Sequence, residues 1–274
     1  MGRVLQPYEL IERSIIKKYR KELWNPFIVA LKEYQLINSG DKIGVCISGG
    51  KDSMLMAKLI QQLQKVSDVP FEAEYIVMNP GYNSENYQRI LDNADLLHIH
   101  VKVFETDIFS VTDKISSNNP CYLCARMRRG HLYQKAHELG CNKIALGHHF
   151  DDVIETLLLS IFYGAQLQSM PPKLHSTNFT GMELIRPLYR IHEKDIISWK
   201  NYNRLEFIQC ACRLTEKNSV HDSKREEIKQ LIATLKKTNP NIDKNIFNSI
   251  HTLSLDTFVG YKSKGKEYSF LDNY

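Results

Sequence analysis

A short β-rich run, Lys42-Ile43-Gly44-Val45-Cys46-Ile47, passes through Ser48-Gly49-Gly50-Lys51-Asp52-Ser53 into Met54, Leu55, Ala57, Lys58, Leu59 and Leu63, which recur at helical spacing. The loop therefore joins a strand to a helix. Two adjacent glycines let the backbone turn tightly and approach a ligand with no Cβ in the way. The helix that follows aims free N–H groups and its positive dipole end at the same point. Such a loop favours an oxyanion such as phosphate. Lys51 adds a full charge, and Ser48 and Ser53 add hydroxyl groups. The spacing is not that of a Walker-type loop, whose glycines stand further apart before the lysine.

Strand-like runs at 42–47, 71–78, 100–105 and 143–147 alternate with helix-like runs. That alternation predicts an α/β fold, a doubly wound and mainly parallel sheet with ligands at the strand C-termini. At 274 residues and 43% hydrophobic content the chain can bury one large core with smaller additions. The expected organisation is an N-terminal helical extension (1–39), a catalytic domain (40–220) and a C-terminal helical extension (221–274). Helices are expected at Pro7 to Lys21 and Asn25 to Leu36. Lys173 to Arg186 reads as a hairpin turning near Asn178 to Gly181, followed by a helix from His192 to about Arg204 and a strand at Phe207 to Cys210. The tail reads as two helices around Asn239-Pro240 and a polar end.

Two further stretches carry chemistry. Lys143 to Thr156 repeats the strand-to-helix grammar, with Gly147 where a ligand can come close. His148 and His149 precede Asp151 and Asp152, whose plain reading is helix capping. Cys121 and Cys124 form a CxxC pair, while Cys210 and Cys212 lie close together much later. Cys46 and Cys141, isolated in core-like elements, read as small buried hydrophobes. No secretory signal or membrane-length apolar run is evident, so a cytoplasmic, reducing location is expected, where CxxC binds metal or acts in redox. Residue pattern alone leaves three readings open. One is an iron-sulfur cluster held by three thiolates with one open iron, another is zinc, and the third is a thiol pair.

SGGKDS at Ser48 to Ser53 resembles the PP-loop of the ATP-pyrophosphatase superfamily. With CxxC, the GHHxDD of Gly147 to Asp152, Ile185-Arg186-Pro187-Leu188 and Gly40-Asp41, the chain is similar to the tRNA 2-thiocytidine synthetase family. The resemblance implies an ATP-dependent tRNA sulfurtransferase that forms AMP and pyrophosphate and acts on a base carbonyl, at the anticodon-loop cytidine 32; related enzymes thiolate other positions. It implies ATP, Mg²⁺ and a [4Fe-4S] cluster as cofactors, tRNA and a sulfur donor (a cysteine desulfurase or free sulfide) as partners, no membrane, and a homodimer. Ser48, Gly49, Gly50, Lys51, Asp52 and Ser53 match the pyrophosphate loop. Met78 and Gly147 match nucleotide-contacting positions, and Arg128 a basic position that reaches ATP. Lys51, Asp52 and Asp152 match the catalytic set, and Cys121 and Cys124 the first two cluster ligands. The third ligand falls at Cys210, with Cys212 as the alternative, because Cys210-Ala211-Cys212 departs from the family spacing. A PP-loop ligase with structural zinc and a non-catalytic iron-sulfur RNA-binding protein are the rival readings.

The formal net charge of +5 is a modest excess, too small to diagnose RNA binding. Basic residues cluster at Arg13 to Lys21 with Tyr19 and Trp24 nearby, at Arg126 to Arg129, and at Lys194 to Arg204 with Trp199 and Tyr202. Such mixtures fit phosphate contact and base stacking. A solvated helix face would read the same way.

Overall fold

From Ile43 onward every residue of β1 (Lys42–Ile47) is buried, as a strand covered on both faces must be. The computed structural model describes residues 4–109, 111, 120–208 and 220–274, with the backbone alone at 120–122, 220–223 and 273. Around β1 lie β2 (Glu72–Asn79), β3 (Val101–Glu105), β4 (Lys143–Ala145), β5 (Lys173–His175) and β6 (Glu183–Ile185). The sheet order is β3-β2-β1-β4-β6-β5, parallel throughout except for β5, which runs antiparallel to β6.

Helices α3 (Lys51–Val66) and α4 (Ser84–Leu96) carry the chain from β1 through β2 to β3. It then returns through α5 (Pro120–Glu138) to β4, on the other side of β1. The strand order reverses between β1 and β4, and at such a point the loops leaving the two strands diverge and open a crevice. The loops that follow β1 and β4 are those carrying Ser48 to Ser53 and Gly147 to Asp152.

The remaining elements fix the walls. Helix α1 (Pro7–Ile16), a π-helical segment (Arg20–Trp24) and α2 (Asn25–Glu33) bury Ile15, Leu23, Trp24 and Phe27 in the core shared by β1, α3 and Trp199. Trp199 belongs to α7 (Glu193–Tyr202). Each fully buried aliphatic or aromatic side chain contributes roughly 1.5–3 kcal/mol. Helices α8 (Val220–Thr238) and α9 (Ile242–Ser249) place Ile228, Ile232 and Phe247 on Phe150, Val153 and Ile154 of α6 (Phe150–Gly164). No helix among the described residues is long and apolar enough to cross a membrane.

Four local expectations are corrected. The helix expected over Pro7 to Lys21 stops at Ile16, and the chain widens into the π-helical segment before Pro26, which has no N–H to offer a regular turn. Of the strand expected at Phe207 to Cys210, residues 209 and 210 lie outside the described residues, and Phe207 and Ile208 form none; Phe207 is buried in the main core and Ile208 packs against it, so their apolar character reflects packing rather than sheet pairing. The polar tail forms a hairpin of β7 (Gly260–Ser263) and β8 (Lys266–Ser269). Of the aromatics in the basic clusters, Tyr19, Trp24 and Trp199 are core residues, because helical spacing turns them inward, and Tyr202 is the one left half-exposed.

Candidate active site

The loop after β1 is latched by its own hydroxyls. The Ser48 N–H and Oγ both donate to Ser53 Oγ (3.1 Å each), which donates to the Gly50 carbonyl (3.0 Å). Gly49 has φ +84°, a conformation open to glycine, and an added Cβ would meet Ile90 Cγ1 at 2.5 Å. Gly50 is the N-cap of α3 and brings no side chain to cap the first N–H groups. The helix start is thus latched by its own loop, and no side chain of its N-cap covers its first N–H groups.

Across the crevice, Gly147 packs directly on that helix start. A Cβ there would lie 3.1 Å from the Ser53 amide nitrogen and 3.2 Å from the Asp52 carbonyl carbon. The glycine expected to admit a ligand also lets two loops touch. His149 caps α6, and Asp152 completes the capping box by accepting from the His149 N–H (3.0 Å). The capping reading of Asp152 and its place at the crevice therefore coexist.

Between the loops lies a cavity of about 330 Å³ whose wall includes Ser48, Asp52, Ser53, Met78, Arg128, Gly147 and Asp152. Seven of the expected nucleotide-binding and catalytic residues come together there. Arg129 and His148 join them. Burial, with the Arg186 charge, pushes the His148 imidazole down to about 4, so it is neutral, and its Nδ1 has no hydrogen-bond partner. Asp52 Oδ1 is likewise buried and unpartnered, and burial raises its carboxyl above the usual range against the His149 and Lys51 charges. The neighbouring Asp152 charge acts in the same sense. Among the described residues no group of three or more histidine, cysteine, aspartate or glutamate side chains is arranged to hold a metal ion.

Lys51 points elsewhere. Its Nζ donates to Glu193 Oε1 (2.9 Å) and Asp52 Oδ2 (3.2 Å), on a second cavity of about 350 Å³ that also includes Lys200, Phe207 and Ile208. Burial would raise the Glu193 carboxyl, but the Lys51 hydrogen bond and charge, with His149 and Lys229, hold it down at about 2. Asp151 Oδ2 accepts the Glu193 N–H (2.7 Å), which fixes the start of α7 against α6. From α8, Lys229 reaches Glu193 (3.2 Å) and Glu155 (3.8 Å), while Arg225 reaches Glu155 (2.9 Å) and Asp152 (3.5 Å). Sequence reasoning missed Glu193, Glu155, Arg225 and Lys229, because they meet the loops only through tertiary packing; His148 alone had a local signal, the paired histidines.

Cys124 is buried on α5 in a small apolar cluster with Met78, Ile108 and Phe109, and its chain neighbour Ala125 lines the cavity. The backbone places Cys121 one helical turn earlier. Cys210 and Cys212 lie outside the described residues. The described chain nevertheless approaches the loop just before them, since the Ile208 carbonyl is 3.8 Å from where a Gly50 Cβ would stand. Cys46 and Cys141 are buried with thiols pushed up by burial to about 12 and about 11.

A family model described as a PP-loop domain matches residues 16–233. The tRNA-cytidine(32) 2-sulfurtransferase of Coxiella burnetii (strain CbuG_Q212) is 36% identical over 242 residues, spanning 86% of this chain and 91% of the relative. The chain belongs to the tRNA-cytidine(32) 2-sulfurtransferase family. A second member, from Alcanivorax borkumensis, is 35% identical over 248 residues, covering 89% of this chain and 84% of its own length. The fold is also that of the U34-tRNA thiolase NcsA from Methanococcus maripaludis, solved with its [4Fe-4S] cluster (TM-score 0.66, 22% identity, 83% of this chain and 77% of that one). Family membership and the switch-point cavity thus rest on independent observations.

Proposed function

We propose that this protein is an ATP-dependent tRNA sulfurtransferase acting on C2 of cytidine 32, with the crevice between the β1 and β4 loops as its ATP site. The observation that carries the reading is the convergence of Ser48, Asp52, Ser53, Met78, Arg128, Gly147 and Asp152 on one cavity. Met78 and the apolar wall suit a purine. The α3 N–H groups suit the phosphates, and Arg128 is a further cation at the wall.

A base carbonyl is a poor electrophile because oxide is a bad leaving group. Attack of the C2 oxygen on the α-phosphorus of ATP forms a P–O bond and breaks the α,β-bridge, releasing pyrophosphate. The oxygen can then depart with AMP when sulfur adds to C2. The uncapped α3 N–H groups and Lys51, once it leaves Glu193, stabilise the charge that grows on pyrophosphate. Asp52 and Asp152 would hold Mg²⁺, which supplies charge neutralisation at the phosphates. Cys121, Cys124 and Cys210, or Cys212 in its place, would hold a [4Fe-4S] cluster, which when bound supplies a place for reactive sulfur. Cys124 supports this, as it shares a buried cluster with Met78, a residue of the cavity wall. Sustained turnover needs external sulfur, from a cysteine desulfurase or free sulfide.

The deciding experiment is mass spectrometry of tRNA from a strain lacking the protein, complemented with wild type or Lys51→Ala. Loss of 2-thiocytidine, restored by wild type and not by Lys51→Ala, is expected; an unchanged thionucleoside profile would refute the assignment. Anaerobic purification tests the cluster, since stoichiometric zinc without iron would remove it.

A further inference from the structure

The basic stretch Arg13 to Lys21 and the C-terminal end of α7, about 180 residues later in the sequence, meet at a single groove. It is a cavity of about 540 Å³ between α1 and the far end of α7, with Leu10, Arg13, Lys18, Tyr202 and Asn203 in its wall. Tyr202 is 52% exposed, and Lys18 Nζ lies 3.5 Å from its ring centroid. Tyr19 meets the same ring edge-on at 5.8 Å and donates from its hydroxyl to the Ser198 carbonyl (3.0 Å). The floor is rigid. Ser14 Oγ accepts from both Trp199 Nε1 and Asn203 Nδ2 (3.1 Å each), which ties α1 to α7.

The two charged residues in the groove wall, Arg13 and Lys18, are both basic. Arg13, Lys17, Lys18, Arg20 and Lys21 are all exposed, and Glu22 is the one acidic residue in the stretch 13–22. Glu12, just before it, is occupied by Lys58 and Lys65 (2.7 Å each). A modest net charge for the whole chain thus conceals a locally basic, exposed stretch at 13–21. An exposed tyrosine among such cations suits a splayed base stacked between phosphate contacts, whereas a plain solvated helix would present no ring and no groove.

We infer that this groove is a docking site for single-stranded nucleotides of the RNA substrate, with Tyr202 stacking on a base and Arg13 and Lys18 contacting phosphates. The inference rests on the proposed tRNA substrate and adds where that RNA sits. Helix α7 supplies the geometry. Its ten residues begin at Glu193, which holds Lys51, and end at Tyr202. They span about 15 Å, so the stacked nucleotide is a few positions from the reacting one. The helix acts as a ruler between docking and chemistry.

The test is equilibrium binding of a tRNA transcript to the full-length protein across a salt series. Arg13→Glu combined with Lys18→Glu should weaken binding at least about tenfold and flatten the slope of log K against log salt by about 1.5, the loss of two phosphate contacts. Tyr202→Ala should weaken binding about tenfold and Tyr202→Phe should restore it. ATP affinity measured without RNA should be unchanged in all variants, which also certifies the fold. Unchanged tRNA affinity and slope, with wild-type binding intact, would overturn the docking site and leave the proposed function standing. Turnover lost with a cysteine desulfurase but kept with free sulfide, at unchanged tRNA affinity, would assign the face to a protein donor and overturn the inference. A wild-type protein that neither binds nor thiolates tRNA would sink the functional reading and this inference together.

Discussion

Lys51 donates to Glu193 at 2.9 Å, so the lysine of the phosphate loop is held by the first residue of α7 and not by the cavity beside it. A carboxylate in that position competes with phosphate for the same ammonium. Glu193→Gln should therefore tighten ATP several-fold, about 1 kcal/mol once solvent screening is allowed for. Titration calorimetry without RNA measures it. A tenfold weakening would mean instead that Glu193 builds the site.

Gly147→Ala would put a methyl group against the backbone of Asp52 and Ser53, at 3.1–3.2 Å. Backbone at a helix start cannot swing aside as a side chain can. We expect a loss of about 1–3 kcal/mol in stability and a marked drop in ATP affinity, read by denaturant titration and calorimetry. A variant with wild-type values in both would show that the β1 and β4 loops are not close-packed.

Burial raises the Glu155 carboxyl from 4.5 to about 7, against the pull of Arg225 and Lys229. The fold prefers the protonated form, so its contribution is full below the unfolded value of 4.5 and lost as pH rises through about 7. Between those limits wild type should lose up to about 3 kcal/mol relative to Glu155→Gln. Urea titrations of both proteins from pH 4.5 to 7.5 check the trend, and parallel stability curves would contradict it.

Cys46 and Cys141 should resist iodoacetamide at pH 8 in the native protein and react after denaturation, since burial keeps both thiols protonated. Peptide mapping by mass spectrometry reports each site separately. Rapid native labelling of Cys46 would show that β1 is not covered on both faces.

The phosphate loop, the parallel sheet and the β4 loop were legible because each is local: a strand period, a glycine pair, a helix start. Met78 and Arg128 came from resemblance, and the cavity gathers both. Glu193 and Lys229 had no such signal, being ordinary charged residues on amphipathic helices until the fold sets them on Lys51 and Glu155. Trp199 misled for the converse reason. A tryptophan among lysines reads as a stacking platform, and only the packing of α1 on α7 reveals it as core.

The chain has two tryptophans, Trp24 and Trp199, and both are buried in the core where the N-terminal helices meet α7. Its ultraviolet emission is consequently a built-in gauge of one seam. A red shift would signal that the N-terminal segment has peeled away, even while the crevice between β1 and β4 still holds nucleotide. Fluorescence unfolding curves of this protein thus track the anchoring of α1 and α2, and agreement with a probe on the nucleotide side is the measure of whether seam and crevice come apart together.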